Sequence, residues 1–235
     1  MTSILTKLFG LEDRKELPVS LRVHKTIGKR INRDNRIEDT DFVAFDTELT
    51  GLDFKKDSII SMGAVKMRGG KIFPTKTFYR LVSPESELNG ESVVIHGITH
   101  SDLAGADNIR SVLTDFIEYI GDSTLIGHFV FIDLNFVNRY MKQLFGVKLR
   151  NPVIDTFNIH EWLYDNDSQF ARHYHGMTIK KDLCSMAKKY GIHVKEAHNA
   201  LFDAYLTAQL FQRFVRFLRD CGVHTLGELL MVGKS

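Results

Sequence analysis

The chain has 235 residues, of which 43% are hydrophobic and 26% charged, with a formal net charge of +2. This is the balance of an average soluble globular protein with enough core for one ordinary domain, and it does not by itself announce a nucleic-acid partner. Cys184 and Cys221 stand far apart without a partner pattern, which excludes a disulfide scaffold and a cysteine-built zinc site and fits a reducing compartment.

No apolar run approaches the roughly 20 residues that span a bilayer. The opening "MTSILTKLFGLEDRKELP" lacks the apolar core of a secretory signal, and its Glu12, Asp13 and Glu16 are unlike a transit peptide. No membrane partner is expected, and the expected compartment is the cytoplasm.

Residues 1–36 form a distinct N-terminal basic extension. A short apolar patch, "ILTKLFGL", precedes "RVHKTIGKRINRDNR", which is rich in Arg and Lys. A solvated helix or arm is the plain reading, and an arm that touches phosphates or a partner protein is the other. The main domain is expected over 37–219. A tail over 220–235 is too short for a second domain and reads as a docking or frayed segment.

From residue 41 the pattern becomes regular. "DFVAFDTEL" predicts a strand, and "SIISMGAVKMRGGKIFPTKTFYRLV" predicts two more joined by a hairpin at Gly69-Gly70. "NIRSVLTDFIEYIG" has apolar residues at helical spacing closed by Gly121. "STLIGHF" and "NPVID" read as short strands. "DLNFVNRYMKQLFG", "IKKDLCSMAKKYG" and "ALFDAYLTAQLFQRFVRFLRD" read as helices. Three meandering strands followed by alternating helices and strands indicate an α/β domain with a mixed sheet.

Four acids stand at comparable places: Asp46 and Glu48 end the first strand, Asp133 opens a helix, and Asp203 lies in the first turn of the last long helix. Singly, Asp133, Asp155 and Asp203 read as helix caps or first-turn acids. Asp46 and Glu48 do not. Residues two apart on a strand share a face, so two carboxylates sit together on a strand that is otherwise Phe, Val, Ala and Phe. Like charges this close raise a pKa unless a cation lies between them. A hard divalent ion held by carboxylate oxygens resolves the conflict.

With these residues in view, "FDTELTGL", "GHFVFIDLNFV" and "HNALFDAYLTAQLF" resemble, in order and spacing, the three motifs of the DnaQ-like 3′–5′ exonucleases. The resemblance is to the type with four acids and a histidine five residues before the last Asp (DEDDh). "VVIHGIT" resembles the segment that this family places between its first two motifs, and the match runs from about residue 40 to 215.

The resemblance implies a ribonuclease-H-like fold, a five-stranded mixed sheet flanked by helices, and hydrolysis of nucleotides from a 3′ end. It implies that Asp46, Glu48, Asp133 and Asp203 hold two Mg²⁺ ions, with Mn²⁺ as a substitute, and that His198 is the general base. It further implies substrate contacts from Thr47, Gly51, Leu52, His96, His128, Phe129 and Ile132.

Phe129 and Ile132 stand where the second motif commonly has Asn and an aromatic residue, and Leu49 where the first often has Thr. The expected partner is nucleic acid with a free 3′ end, single-stranded DNA first, with a separate DNA polymerase as a further partner. An RNA-trimming exonuclease and an idle nucleic-acid- or polymerase-binding adaptor are the alternatives.

Overall fold

The computed structural model describes residues 19–24, 31–86, 88, 93–94, 96–174, 180–194 and 198–234. Most of the basic extension, 1–18 and 25–30, lies outside the described residues. The strands are β1 (Asp41–Leu49), β2 (Ile59–Arg68), β3 (Lys71–Leu81), β4 (Thr124–Gly127) and β5 (Val153–Asp155), in sheet order β3-β2-β1-β4-β5. β1 runs antiparallel to β2 and parallel to β4, so the sheet is mixed as expected. β2 turns into β3 at Gly69-Gly70, where Gly69 adopts φ +52°, a conformation that costs a residue without a side chain little.

Helices α1 (Val19–His24), α2 (Ile109–Ile120), α3 (Phe131–Phe145), α4 (Thr156–Asn166), α5 (Ser168–Tyr174), α6 (Leu183–Lys189), α7 (Ala200–Asp220) and α8 (Leu226–Val232) complete the described structure. None is long and apolar enough to cross a membrane.

β1 reads as a continuous apolar run because both of its faces are covered. Phe42 and Ala44 pack with Leu206, Leu210, Phe211 and Phe214 of α7. Val43 and Phe45 face the other way, onto Val112, Leu113 and Phe116 of α2 and Val137 and Met141 of α3. The Phe42 and Phe211 rings meet at 5.1 Å between centroids.

Three expectations change. Asp133 does not cap its helix: α3 begins at Phe131, which makes Asp133 its third residue. Helices α4 and α5 were not read from the sequence, because "TFNIHEWLYDN" buries few apolar side chains, chiefly Ile159 and Leu163. The residues set apart as a tail are not frayed. They form α8, closed by a capping box between Thr225 and Glu228, and Leu226 and Leu229 are buried in the α7-side core. The Asp155 N–H donates to the Gly233 carbonyl at 2.8 Å, which ties this end of the chain to β5.

Candidate active site

Strand alternation sends Asp46 and Glu48 to the α7 side of β1 and Thr47 to the α3 side. Asp46 pairs across the ladder with Gly63 of β2. A Cβ on Gly63 would fall inside the backbone of Ala200 and Leu201, so the missing side chain is what lets the first turn of α7 lie against the sheet. That turn is capped by Asn199, whose side chain accepts from the Leu201 and Phe202 amides. It carries Asp203 onto Asp46 and Glu48.

Oxygens of Asp46, Glu48 and Asp203 lie within 4.8 Å of one another. The His198 amide donates to Asp203 Oδ2 at 3.1 Å, from a residue held at φ +65°. Asp203 Oδ1 is buried without a hydrogen-bond partner.

Burial raises the pKa of each acid, and mutual repulsion adds to it at Asp46 and Glu48. Burial, followed by the Asp133, Glu48 and Asp203 carboxylates, raises the Asp46 pKa well above its ordinary value. Burial, with Asp203 and Asp133 adding to it, pushes Glu48 up to about 8. Asp203 is raised to about 6 by burial, although the His198 amide and ring pull it down. Asp133 is raised to about 7 by burial, against two hydrogen bonds from Thr47.

Acids this close, with a buried oxygen lacking any donor, suit a hard divalent cation that takes oxygen ligands. Asp133 stands apart from the three: its Oδ1 accepts from the Thr47 amide at 2.9 Å and the Thr47 hydroxyl at 2.6 Å.

The other expected site residues fall into two groups. His96 and His198 come together: the pKa of His96 is lowered by partial burial and then by His198. His96 Nδ1 accepts from the Ile98 amide, and its Nε2 is buried without a partner. Leu52, 68% exposed, projects from the loop after β1, and Gly51 in that loop lies beside Asp57.

The second group packs into the scaffold, Phe129 only in part. His128 is buried with both ring nitrogens engaged, by the Thr156 hydroxyl at 2.9 Å and the Lys181 carbonyl at 2.8 Å. Ile132 packs against the α3-side core. Thr47 spends its amide and hydroxyl on Asp133. Phe129 is half-buried at φ +52°.

Two positioning residues were missed. Asp155 caps α4 as expected, with its carboxylate accepting from the Phe157 amide at 2.8 Å. The same carboxylate also accepts from the Phe129 amide at 3.1 Å and the Val130 amide at 3.0 Å, and so shapes the turn that leads into Asp133. Arg139 of α3 donates to the Phe54 and Asp57 carbonyls at 2.6 and 2.7 Å, pinning the loop that bears Leu52. No local pattern announces either contact. An Asp ending a short strand was the only available signal.

A family profile described as Exonuclease matches residues 43–211, which takes in every element from β1 to α7 that builds this cluster. The chain belongs to the exonuclease family. Within that family it is of the DnaQ-like 3′–5′ kind, as the three motifs implied.

This exonuclease is 36% identical over 186 residues to the DNA polymerase III subunit epsilon of Aquifex aeolicus, a match spanning 79% of the chain and 85% of that relative. It is 33% identical over 201 residues to the PolC-type DNA polymerase III of Thermotoga maritima, but spans only 14% of that protein. Among solved structures, Exonuclease X in complex with 5′-overhanging duplex DNA superposes with a TM-score of 0.60 at 21% identity, over 82% of this chain and 99% of that one. Exonuclease I of E. coli in complex with a dT13 oligonucleotide gives 0.64 at 15%, over 77% and 42%. At these identities the two structures speak for the fold.

Proposed function

We propose that this exonuclease hydrolyses nucleotides from the 3′ end of single-stranded or frayed DNA, with two divalent cations, Mg²⁺ first, held by Asp46, Glu48, Asp133 and Asp203. The observation that carries the reading is the convergence of the Asp46, Glu48 and Asp203 oxygens beside the unpartnered Asp203 Oδ1. Asp46, Glu48 and Asp203 would hold one ion, with Asp46 shared and Asp133 completing the other. When bound, such a pair supplies charge at both the attacking and leaving oxygens of the phosphodiester.

The chain's own residues do the rest. His198 takes the proton of the attacking water, since an imidazole is the side-chain base suited to near-neutral pH. The residue is exposed, and the bond from its amide to Asp203 keeps it near the carboxylates. Thr47 fixes the Asp133 carboxylate, and Arg139 holds the loop on which Leu52 meets the terminal base. His96 lies within electrostatic reach of His198.

DNA is favoured over RNA by the relatives' names, a DNA polymerase III subunit and a PolC-type DNA polymerase III. The subunit's name supports action beside a separate DNA polymerase. The cytoplasm is the proposed setting, in keeping with the two free cysteines.

The test is nucleotide release from 5′-labelled DNA and RNA oligomers of matched sequence, with free or blocked 3′ ends, in Mg²⁺, Mn²⁺ or EDTA. Stepwise metal-dependent shortening of free-ended DNA is expected. Shortening of RNA alone would favour the trimming reading. Binding without release would favour the adaptor.

A further inference from the structure

We propose that Phe129, Phe157 and Lys181 form a strip that stacks the bases and meets the phosphates of the single strand leading to the cleavage site. The inference rests on the exonuclease reading and extends it along the substrate. The chain buries its phenylalanines readily: Phe42, Phe45, Phe116, Phe136, Phe170, Phe211 and Phe214 are fully enclosed. Phe129 and Phe157 are only partly buried, Phe157 with one part against the α7-side core. They pair with each other at 4.7 Å between centroids and 37° between planes.

Phe129 holds this place at a cost, because φ +52° is a backbone conformation that a bulky side chain rarely adopts. The Asp155 carboxylate fixes it there through the Phe129 amide. Strain kept in place by a buried carboxylate is a mark of function when it falls beside a reaction centre.

The strip also has a cation. Lys181 Nζ lies 4.9 Å from the Phe157 ring centroid, and its side chain is 58% exposed. Its ion pair with Glu161 at 3.3 Å is solvent-exposed and so weak enough for a phosphate to compete for the ammonium.

The position is next to the chemistry. Asp155 lies within electrostatic reach of Asp133. Cys184, three residues after Lys181, lies within reach of Asp46 and Asp203. Phe131, on the same turn as Phe129, is 51% exposed. Flat aromatic faces beside an ammonium are what a strand without sequence preference uses, since every base has a face to stack and every nucleotide a phosphate. The remainder of a strand whose terminus sits at the carboxylates must leave across some neighbouring surface, and this one has the matching chemistry.

The test measures Kd for fluorescein-labelled dT10 by anisotropy, with Ca²⁺ replacing Mg²⁺, for the wild type, Phe157→Leu, Phe157→Trp and Lys181→Gln. Phe157→Leu keeps apolar bulk and removes the aromatic face, so it separates stacking from packing. We expect it to weaken binding about tenfold, with Phe157→Trp restoring the affinity. Lys181→Gln should weaken binding and flatten its salt dependence. In Mg²⁺, the ratio of kcat/KM on dT10 to that on dT2 should fall by a similar factor in Phe157→Leu.

If Phe157→Leu and Lys181→Gln both bind dT10 within twofold of the wild type while nucleotide release continues, the strip is wrong and the exonuclease reading stands. If binding depends on these residues but the wild type releases no nucleotide in Mg²⁺ or Mn²⁺, the strip stands and the exonuclease reading falls.

Discussion

On the α3 side of the central strand, buried carboxylates are supplied with donors. Asp133 accepts two hydrogen bonds from Thr47, and Asp155 accepts three from backbone amides. On the α7 side, Asp46 and Glu48 meet Asp203, whose Oδ1 has no partner. Both sides lie at the same end of one sheet and are comparably buried, so burial does not distinguish them. What differs is who supplies the compensating positive charge. Backbone and hydroxyl donors supply part of it for Asp155, which organises a turn, and for one oxygen of Asp133. Where donors are fewer, as at Asp203 Oδ1, a proton or a cation from solution can supply it.

The largest expected effect breaks the α7 side. Asp46→Ala or Asp203→Ala should lower kcat by about 10³-fold or more, since a charge clamp at the reacting phosphate is lost. The same variants should melt no lower, and in EDTA higher, than the wild type, because removing one acid relieves the others. Near-native turnover in either would remove that residue from the cluster. His198→Ala should cut the rate by roughly 10²–10⁴ if the ring is the general base.

Breaking the α3 side should look different. Asp155→Ala leaves three amides without their acceptor and is expected to cost about 1–3 kcal/mol in denaturant unfolding. A loss of activity without a loss of stability would mean that Asp155 belongs with the reacting acids.

A smaller effect sharpens the contrast through pH. Glu48 at about 8, Asp133 at about 7 and Asp203 at about 6 all ionise higher in the fold than in the unfolded chain. At these three carboxyls the folded chain keeps protons that the unfolded one sheds, so raising pH favours unfolding there. His24, His96, His128 and His160, whose burial lowers their pKa, act the other way below about 6.5. In EDTA the stability present at low pH should drain away as pH climbs through 6 to 8. Mg²⁺ should restore it, most at the alkaline end. A melting temperature that climbs over this range in EDTA would contradict the crowding of these acids.

The parts of this contrast that could be read from sequence are those set by short-range geometry. The two-residue period of "FVAFDTEL" places Asp46 and Glu48 on one face without any fold in hand, and the bounds of β1 and α7 follow from apolar pattern and caps. His198 and Asp203 were found through the likeness of a motif. The supporting contacts were not legible because they join distant stretches. Thr47 reaches Asp133 across 86 positions and Arg139 reaches Phe54 across 85. The segment after residue 220 left docking and fraying both open for the same reason. Its seven-residue helix gains its place only by burying Leu226 and Leu229 against a core built elsewhere.

The central claim is that Asp46, Glu48 and Asp203 wait for a cation, and counting bound Mn²⁺ by electron paramagnetic resonance tests it most directly. The account predicts uptake by the wild type at neutral pH and loss of that uptake in Asp46→Ala and Asp203→Ala, with Asp155→Ala still taking up the ion. A wild type that leaves Mn²⁺ free in solution, or an Asp46→Ala/Asp203→Ala double variant that binds it as well as the wild type, would contradict it.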